Sequence, residues 1–241
     1  MERGTVTDLT VRSGALAETV PLFVYLPPFY SEFKKYPLII AQDGRDYFQL
    51  GRIAKTMDEL IREKRMQPAI FAGVPYRDVH DRRGKYHPSG EKHAAYLYFL
   101  AHELLPALER EFPVSPAGSS RALAGDSLAA TVSLLAAMQY PRTFGNLLLH
   151  SPYVNGDVIE RAKNFSEWPL LRIYHVVGRQ ETAVKTTDGA VADFLTPNRM
   201  LKEWIEGRPS EYFYEEFAGN HTWKYWQKDL KRGLSFLFPA E

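Results

Sequence analysis

Apolar and polar positions alternate from Thr5 to Val11 and again from Thr19 to Leu26, with Ser13-Gly14 between them, a pattern that predicts two paired antiparallel strands. Pro27-Pro28 ends the second. The pattern then changes: Pro37-Leu38-Ile39-Ile40-Ala41 and Ala69-Ile70-Phe71-Ala72-Gly73-Val74 are unbroken apolar runs, as expected of strands buried on both faces. Between them Ile53, Met57, Leu60 and Ile61 recur at helical spacing, so the segment reads as strand, helix, strand. Residues 75 to 92 are polar and lack a period, which predicts a long loop. Tyr96 to Phe112 predicts a helix kinked at Pro106. Strands are then expected over Arg121 to Ser127, Asn146 to His150, Leu170 to Val177 and Glu211 to Phe217, and helices over Leu128 to Gln139, Pro197 to Glu206 and a closing segment from Trp223 to Leu237.

Strands separated by helical segments imply crossover connections, hence an α/β fold with a mostly parallel central sheet, helices on both faces and an antiparallel N-terminal edge. No repeat or linker divides the chain, and one domain over residues 1–241 is expected. Composition narrows the chemistry. The 241 residues are 45% hydrophobic and 24% charged, the balance of a globular domain. Thirty basic against 29 acidic residues give a net charge of +1, leaving no global field for nucleic acid or an anionic membrane. Without cysteine there is no disulfide, thiolate metal site or cysteine nucleophile. No apolar stretch nears the ~18 residues of a membrane span, and the N-terminus shows no apolar signal region, so a cytoplasmic protein is expected.

The sharpest motif is Gly125-Asp126-Ser127-Leu128-Ala129, placed between a predicted strand and a predicted helix. A nucleophile elbow needs small residues two before and two after its serine because the turn is tight; Gly125 and Ala129 fill those places, with Ala129 where Gly is usual. The plainer alternative makes Ser127 a helix cap. A serine needs a base, and among seven histidines His221 lies in the loop after the last strand, in the chain order serine, acid, histidine. His150 and His175 fit packed strand positions. The acid is expected in the loop after the strand ending at Val177, where Glu181 stands nearest the strand end, Asp193 is the next choice and Asp188 the third. Donors for a developing oxyanion are expected from the backbone N–H of Leu128 and, from the turn Gln42-Asp43-Gly44-Arg45, that of Arg45.

Together these features resemble the esterase D and enterochelin (siderophore) esterase-like family of α/β-hydrolases. The resemblance rests on Asp43-Gly44 with Tyr47-Phe48, on Arg82-Arg83 leading to Tyr86-His87-Pro88, on the Ser127 motif, and on Gly219-Asn220-His221-Thr222-Trp223-Lys224-Tyr225-Trp226. It implies an α/β-hydrolase fold and a serine carboxylesterase with Ser127 as nucleophile, His221 as base, an acid between Glu181 and Asp193, and the amides of Arg45 and Leu128 as oxyanion hole. It implies no cofactor or metal. A siderophore trilactone is one substrate within its scope. The expected partner is a small-molecule ester, with a homodimer left open; nucleic acid and membrane are not expected. Tyr47, Phe48, Tyr86, Tyr153, Trp168 and Trp223 are candidates to line the pocket. The sequence leaves two competing functions open: a non-catalytic scaffold of the same fold that binds a ligand, and a metal hydrolase using His80, Asp81, His87 and His93.

Overall fold

The two alternating segments form the sheet edge in the computed structural model, which describes residues 2–187 and 189–240. Strands β1 (Thr5–Ser13) and β2 (Glu18–Leu26) pair antiparallel with Thr5 opposite Leu26. The unbroken apolar runs become β3 (Leu38–Gln42), β4 (Ile70–Val74), β5 (Arg121–Asp126) and β6 (Asn146–His150), every residue of which is buried. β7 (Arg172–Gly178), a short hairpin of β8 (Val184–Lys185) and β9 (Val191–Ala192), and β10 (Glu211–Phe217) complete the strands. The main sheet has the order β1-β2-β4-β3-β5-β6-β7-β10 and is parallel from β4 to β10, with β1 and β2 antiparallel at its edge.

The helices are α1 (Gly44–Gln49), α2 (Ile53–Arg62), α3 (Val79–Tyr86), α4 (His93–Tyr98), α5 (Leu105–Glu111), α6 (Leu128–Gln139), α7 (Gly156–Asn164), α8 (Leu195–Ile205) and α9 (Trp223–Leu237). Side-chain alternation along the central strands divides the interior in two. Leu38 and Ile40 join one core with Leu123, Leu147 and α6; Ile39 and Ala41 join the other with Ala122, Ala124, Met57 of α2 and Leu230 and Leu234 of α9. Helix α6 is buried from Leu128 through Ala137, as an all-round apolar helix must be. Among the described residues no helix is long and apolar enough to cross a membrane.

The structure departs from the sequence expectation in three places. Residues 79 to 86 are helical where a loop is expected. The Asp78 side chain accepts the Asp81 N–H at 2.8 Å as an N-cap, and the buried face of α3 consists of Asp81, Arg82, Lys85 and Tyr86. Charges satisfied by partners, Asp81 with Lys85 at 3.0 Å and Arg82 with Asp43, replace the apolar stripe that periodicity seeks. The second departure is the Pro106 kink, which takes the form of a π-helical turn over Phe99–Leu104 between α4 and α5. Proline cannot donate and crowds the preceding turn, and the wider turn lets Leu105 N–H bond to the Leu100 carbonyl. The third is the β8–β9 hairpin, inside a stretch read as a loop.

His175 sits fully buried in β7, its Nε2 2.7 Å from Asn198 Oδ1 and its Nδ1 3.0 Å from the Tyr212 hydroxyl. Asn198 uses its amide nitrogen to donate to the Pro152 and Phe194 carbonyls, so its oxygen accepts and His175 carries its proton on Nε2. Burial lowers the His175 pKa from 6.5 to about 4. The unfolded chain therefore binds more protons between these values, and the contribution of this group to stability is intact above pH ~6.5 and is lost as pH falls toward 4. Thermal melts should show a fall of up to about 3 kcal/mol across that window. His175→Gln, which keeps an amide donor, should flatten it; an unchanged slope would refute the assignment.

Candidate active site

The chain leaves β5 at Asp126 and enters α6 at Leu128, so Ser127 makes the whole turn, at φ 54° and ψ −126°. A non-glycine residue is held there at a cost of roughly 1–3 kcal/mol. The turn is anchored by Ser127 N–H to the His150 carbonyl at 2.9 Å and by the Ser127 carbonyl, which accepts the Tyr153 N–H at 3.2 Å. A Cβ on Gly125 would lie 2.3 Å from the Ala129 backbone, which is why position 125 must be glycine, whereas the Ala129 methyl is accommodated in full burial. The Ser127 side chain makes no capping hydrogen bond, so helix capping does not account for it.

Three neighbouring strands end in the same unusual way. Asp43 after β3, Ser127 after β5 and Ser151 after β6 all have positive φ, 57°, 54° and 47°. Strain of this kind on adjacent strand ends makes the carboxyl edge of the sheet a candidate site. Asp43 is held by Arg82, whose Nε lies 3.0 and 2.9 Å from the two carboxylate oxygens and whose Nη2 lies 2.5 Å from Oδ2. Asp126, beside the serine, is buried; burial and then the Asp43 carboxylate push its pKa well above the usual range.

The loop after β7 turns back on itself: the Gly178 N–H donates to Glu181 Oε1 at 2.7 Å, and the Glu181 carbonyl accepts the Phe194 N–H at 2.8 Å. Gln180 N–H donates to the Gly219 carbonyl at 2.9 Å, tying this loop to the one that carries His221. Gly178 is required here, because a Cβ would lie 2.6 Å from Glu181 Oε1 and 2.5 Å from the Gly219 carbonyl. The result is His221 Nδ1 at 2.7 Å from Oε2 of the fully buried Glu181, whose Oε1 also accepts the Ser151 hydroxyl at 2.7 Å. The His221 ring lies between Phe194 and Trp226, at 4.3 and 4.8 Å between centroids. Asp193 is elsewhere: exposed, it accepts the Thr196 N–H at the start of α8. Asp188 lies outside the described residues.

Ser127, Leu128 and His221 line one cavity of about 290 Å³. It is lined by Arg82, Arg83 and His87 and by Tyr153 and Phe194, with the His87 and Tyr153 rings 5.6 Å apart, and the β8–β9 hairpin contributes Val184, Lys185, Val191 and Ala192. Arg45 is not gathered into it. Its side chain is exposed and lines an adjacent hollow with Tyr76 and Asp81, while its N–H belongs to the first turn of α1, where helix geometry leaves donors for an outside acceptor. Of the aromatic residues expected at the pocket only Tyr153 lines it: Tyr47, Tyr86 and Trp168 are buried in the core, Phe48 packs on Phe71, and Trp223 meets Tyr47 edge-on. Nor are the residues of the metal alternative clustered. Asp81 pairs with Lys85, His93 Nδ1 faces the Lys85 carbonyl, and His87 Nδ1 accepts from Ser89. His150 is buried in β6 with Nε2 3.1 Å from Asp229. Sequence reasoning missed Ser151 and the Asp43–Arg82 pair, since neither strand-end strain nor a buried ion pair leaves a periodic signal.

A mostly parallel sheet of this strand order, with the serine turn at the carboxyl end of β5, defines an α/β-hydrolase fold. Solved structures agree: a ferulic acid esterase superposes with a TM-score of 0.80 over 99% of both chains at 17% identity. The ferric enterobactin esterase of Salmonella typhimurium does so with a TM-score of 0.84 at 19% identity, over 98% of this chain and 59% of its own. Residues 13–237 match the family model described as "Putative esterase", and the chain belongs to that esterase family as a carboxylic ester hydrolase. It is 48% identical to the uncharacterized protein YjcH of Bacillus subtilis over 94% of each chain, and 30% identical to the iron(III) salmochelin esterase of Escherichia coli over 83% of this chain. The chain spans half the length of the salmochelin esterase.

Proposed function

We propose that the protein is a cytoplasmic serine carboxylesterase acting on a small-molecule ester through a Ser127–His221–Glu181 triad. The observation that carries the proposal is the buried Glu181 carboxylate 2.7 Å from His221 Nδ1, with His221 and Ser127 facing one cavity. A carboxylate at Nδ1 holds the proton there and leaves the Nε2 lone pair as the base. Ser127 Oγ attacks the ester carbonyl carbon as its proton passes to His221 Nε2, and the amide of Leu128, with that of Arg45, receives the oxyanion. His221 then gives the proton to the departing alkoxide, the C–O bond breaks, and an acyl-Ser127 remains. Water attacks that ester, loses a proton to His221, and the acid leaves as Ser127 regains its proton. The neighbouring apolar and basic walls of the cavity supply the acyl and alcohol contacts.

The test is hydrolysis of p-nitrophenyl acetate and butyrate with and without EDTA, alongside labelling by a fluorophosphonate. Turnover indifferent to EDTA and mass spectrometry placing one label on Ser127 are expected. Silence in both assays would return the protein to the ligand-binding scaffold, and activity abolished by EDTA would restore the metal alternative.

A further inference from the structure

Trp226 belongs to the closing helix and to the motif that follows His221, Ser151 to no motif of the sequence, and the two meet at the back of the candidate site. Trp226 Nε1 lies 3.2 Å from Ser151 Oγ, and Ser151 Oγ lies 2.7 Å from Glu181 Oε1. All three residues are buried, Trp226 at 3% exposure and the others at none. We infer that Ser151 and Trp226 form a hydrogen-bonded brace that orients the Glu181 carboxylate toward His221, which makes both of them positioning residues of the ester hydrolysis. The inference rests on the triad reading above.

Donor and acceptor chemistry fixes the direction of the brace. An indole N–H can only donate and a carboxylate can only accept, so the Ser151 hydroxyl accepts from Trp226 and donates to Glu181. Its rotor has one setting. Glu181 Oε1 then takes two donors, the Ser151 hydroxyl and the Gly178 N–H at 2.7 Å, and Oε2 is left to face His221 Nδ1. Two fixed donors on one oxygen set the carboxylate plane, and the plane sets the imidazole. Trp226 acts on the histidine as well, its ring meeting the His221 ring edge to face at 4.8 Å and 85°. The backbone indicates a residue kept for its hydroxyl. Ser151 sits at φ 47°, a conformation in which glycine would be less strained, while its N–H is held by the Val176 carbonyl at 2.7 Å.

The test is a set of four variants assayed for kcat, KM and thermal midpoint. Ser151→Ala should lower kcat about 10- to 100-fold, the worth of one hydrogen bond to a charged group, with KM within about threefold. Trp226→Phe keeps a ring against His221 and removes the N–H, and should lose less. The double variant should lose no more than Ser151→Ala alone, because the indole acts on Glu181 through the hydroxyl. Ser151→Gly relieves the backbone, so its midpoint should exceed that of Ser151→Ala while its kcat is equally low. Additive losses, or a kcat that tracks the thermal midpoint, would mean packing alone and overturn the brace. If Glu181→Gln lowers kcat and Ser151→Ala does not, the brace falls and the triad stands; if Glu181→Gln is also without effect, both fall.

Discussion

Ser127→Ala should lower kcat for p-nitrophenyl butyrate by on the order of 10⁵- to 10⁶-fold, the loss found when a serine hydrolase is stripped of its nucleophile. The variant should keep its fold, because Ser127 Oγ makes no capping bond and the turn hangs on backbone contacts to His150 and Tyr153 that alanine preserves. Alanine inherits the positive φ of 54°, so the strain is unchanged. Ser127→Gly should be equally inactive but more stable, since glycine adopts that backbone freely. The pair separates chemistry from folding: two inactive proteins with different thermal midpoints. Residual turnover above background would come from the amide donors and the cavity alone. More than a few per cent of wild-type activity in either variant would remove Ser127 from the nucleophile role.

The parts of this architecture that the sequence displays are those written in apolar runs. Strands β3 to β6 are buried on both faces, so Leu38 to Ala41 or Asn146 to His150 need no alternation to be recognised. Gly125 reveals the serine turn because the Ala129 backbone leaves no room for a side chain there. The rest is hidden for equally physical reasons. Helix α3 buries charges paired with residues far away in the chain, Arg82 with Asp43 and Lys85 with Glu18, and nothing local announces such pairing. Tyr47, Tyr86 and Trp168 are aromatic beside loops, yet tertiary packing takes them into the core. The candidate acid is obscured because the loop after β7 bears three carboxylates; only its return, through the bond of Gly178 N–H to Glu181, brings one of them to His221. Positive φ at Asp43, Ser127 and Ser151 is visible only in the backbone, although all three are short polar residues at the ends of apolar strands.

Glu181→Gln should lower kcat by on the order of 10⁴, the loss seen when a triad acid becomes an amide. The reason lies in how the donors are shared. Oε1 accepts two, the Gly178 N–H and the Ser151 hydroxyl, and Oε2 accepts one from His221. A glutamine must place its NH₂ at one of these sites, and beside Gly178 it would confront a backbone N–H that cannot turn away. The amide oxygen therefore stays at Oε1 and the NH₂ faces His221 Nδ1, which must now accept. That moves the imidazole proton to Nε2, the side facing the serine, and the base is lost although the geometry is kept. Ser127 labelling by the fluorophosphonate should slow in parallel, while the thermal midpoint changes little because size and burial are unchanged. Asp193→Asn should keep kcat within about twofold and act only through the start of α8, where Asp193 accepts the Thr196 N–H. A large loss at Asp193 with none at Glu181 would assign the acid to the wrong end of the loop.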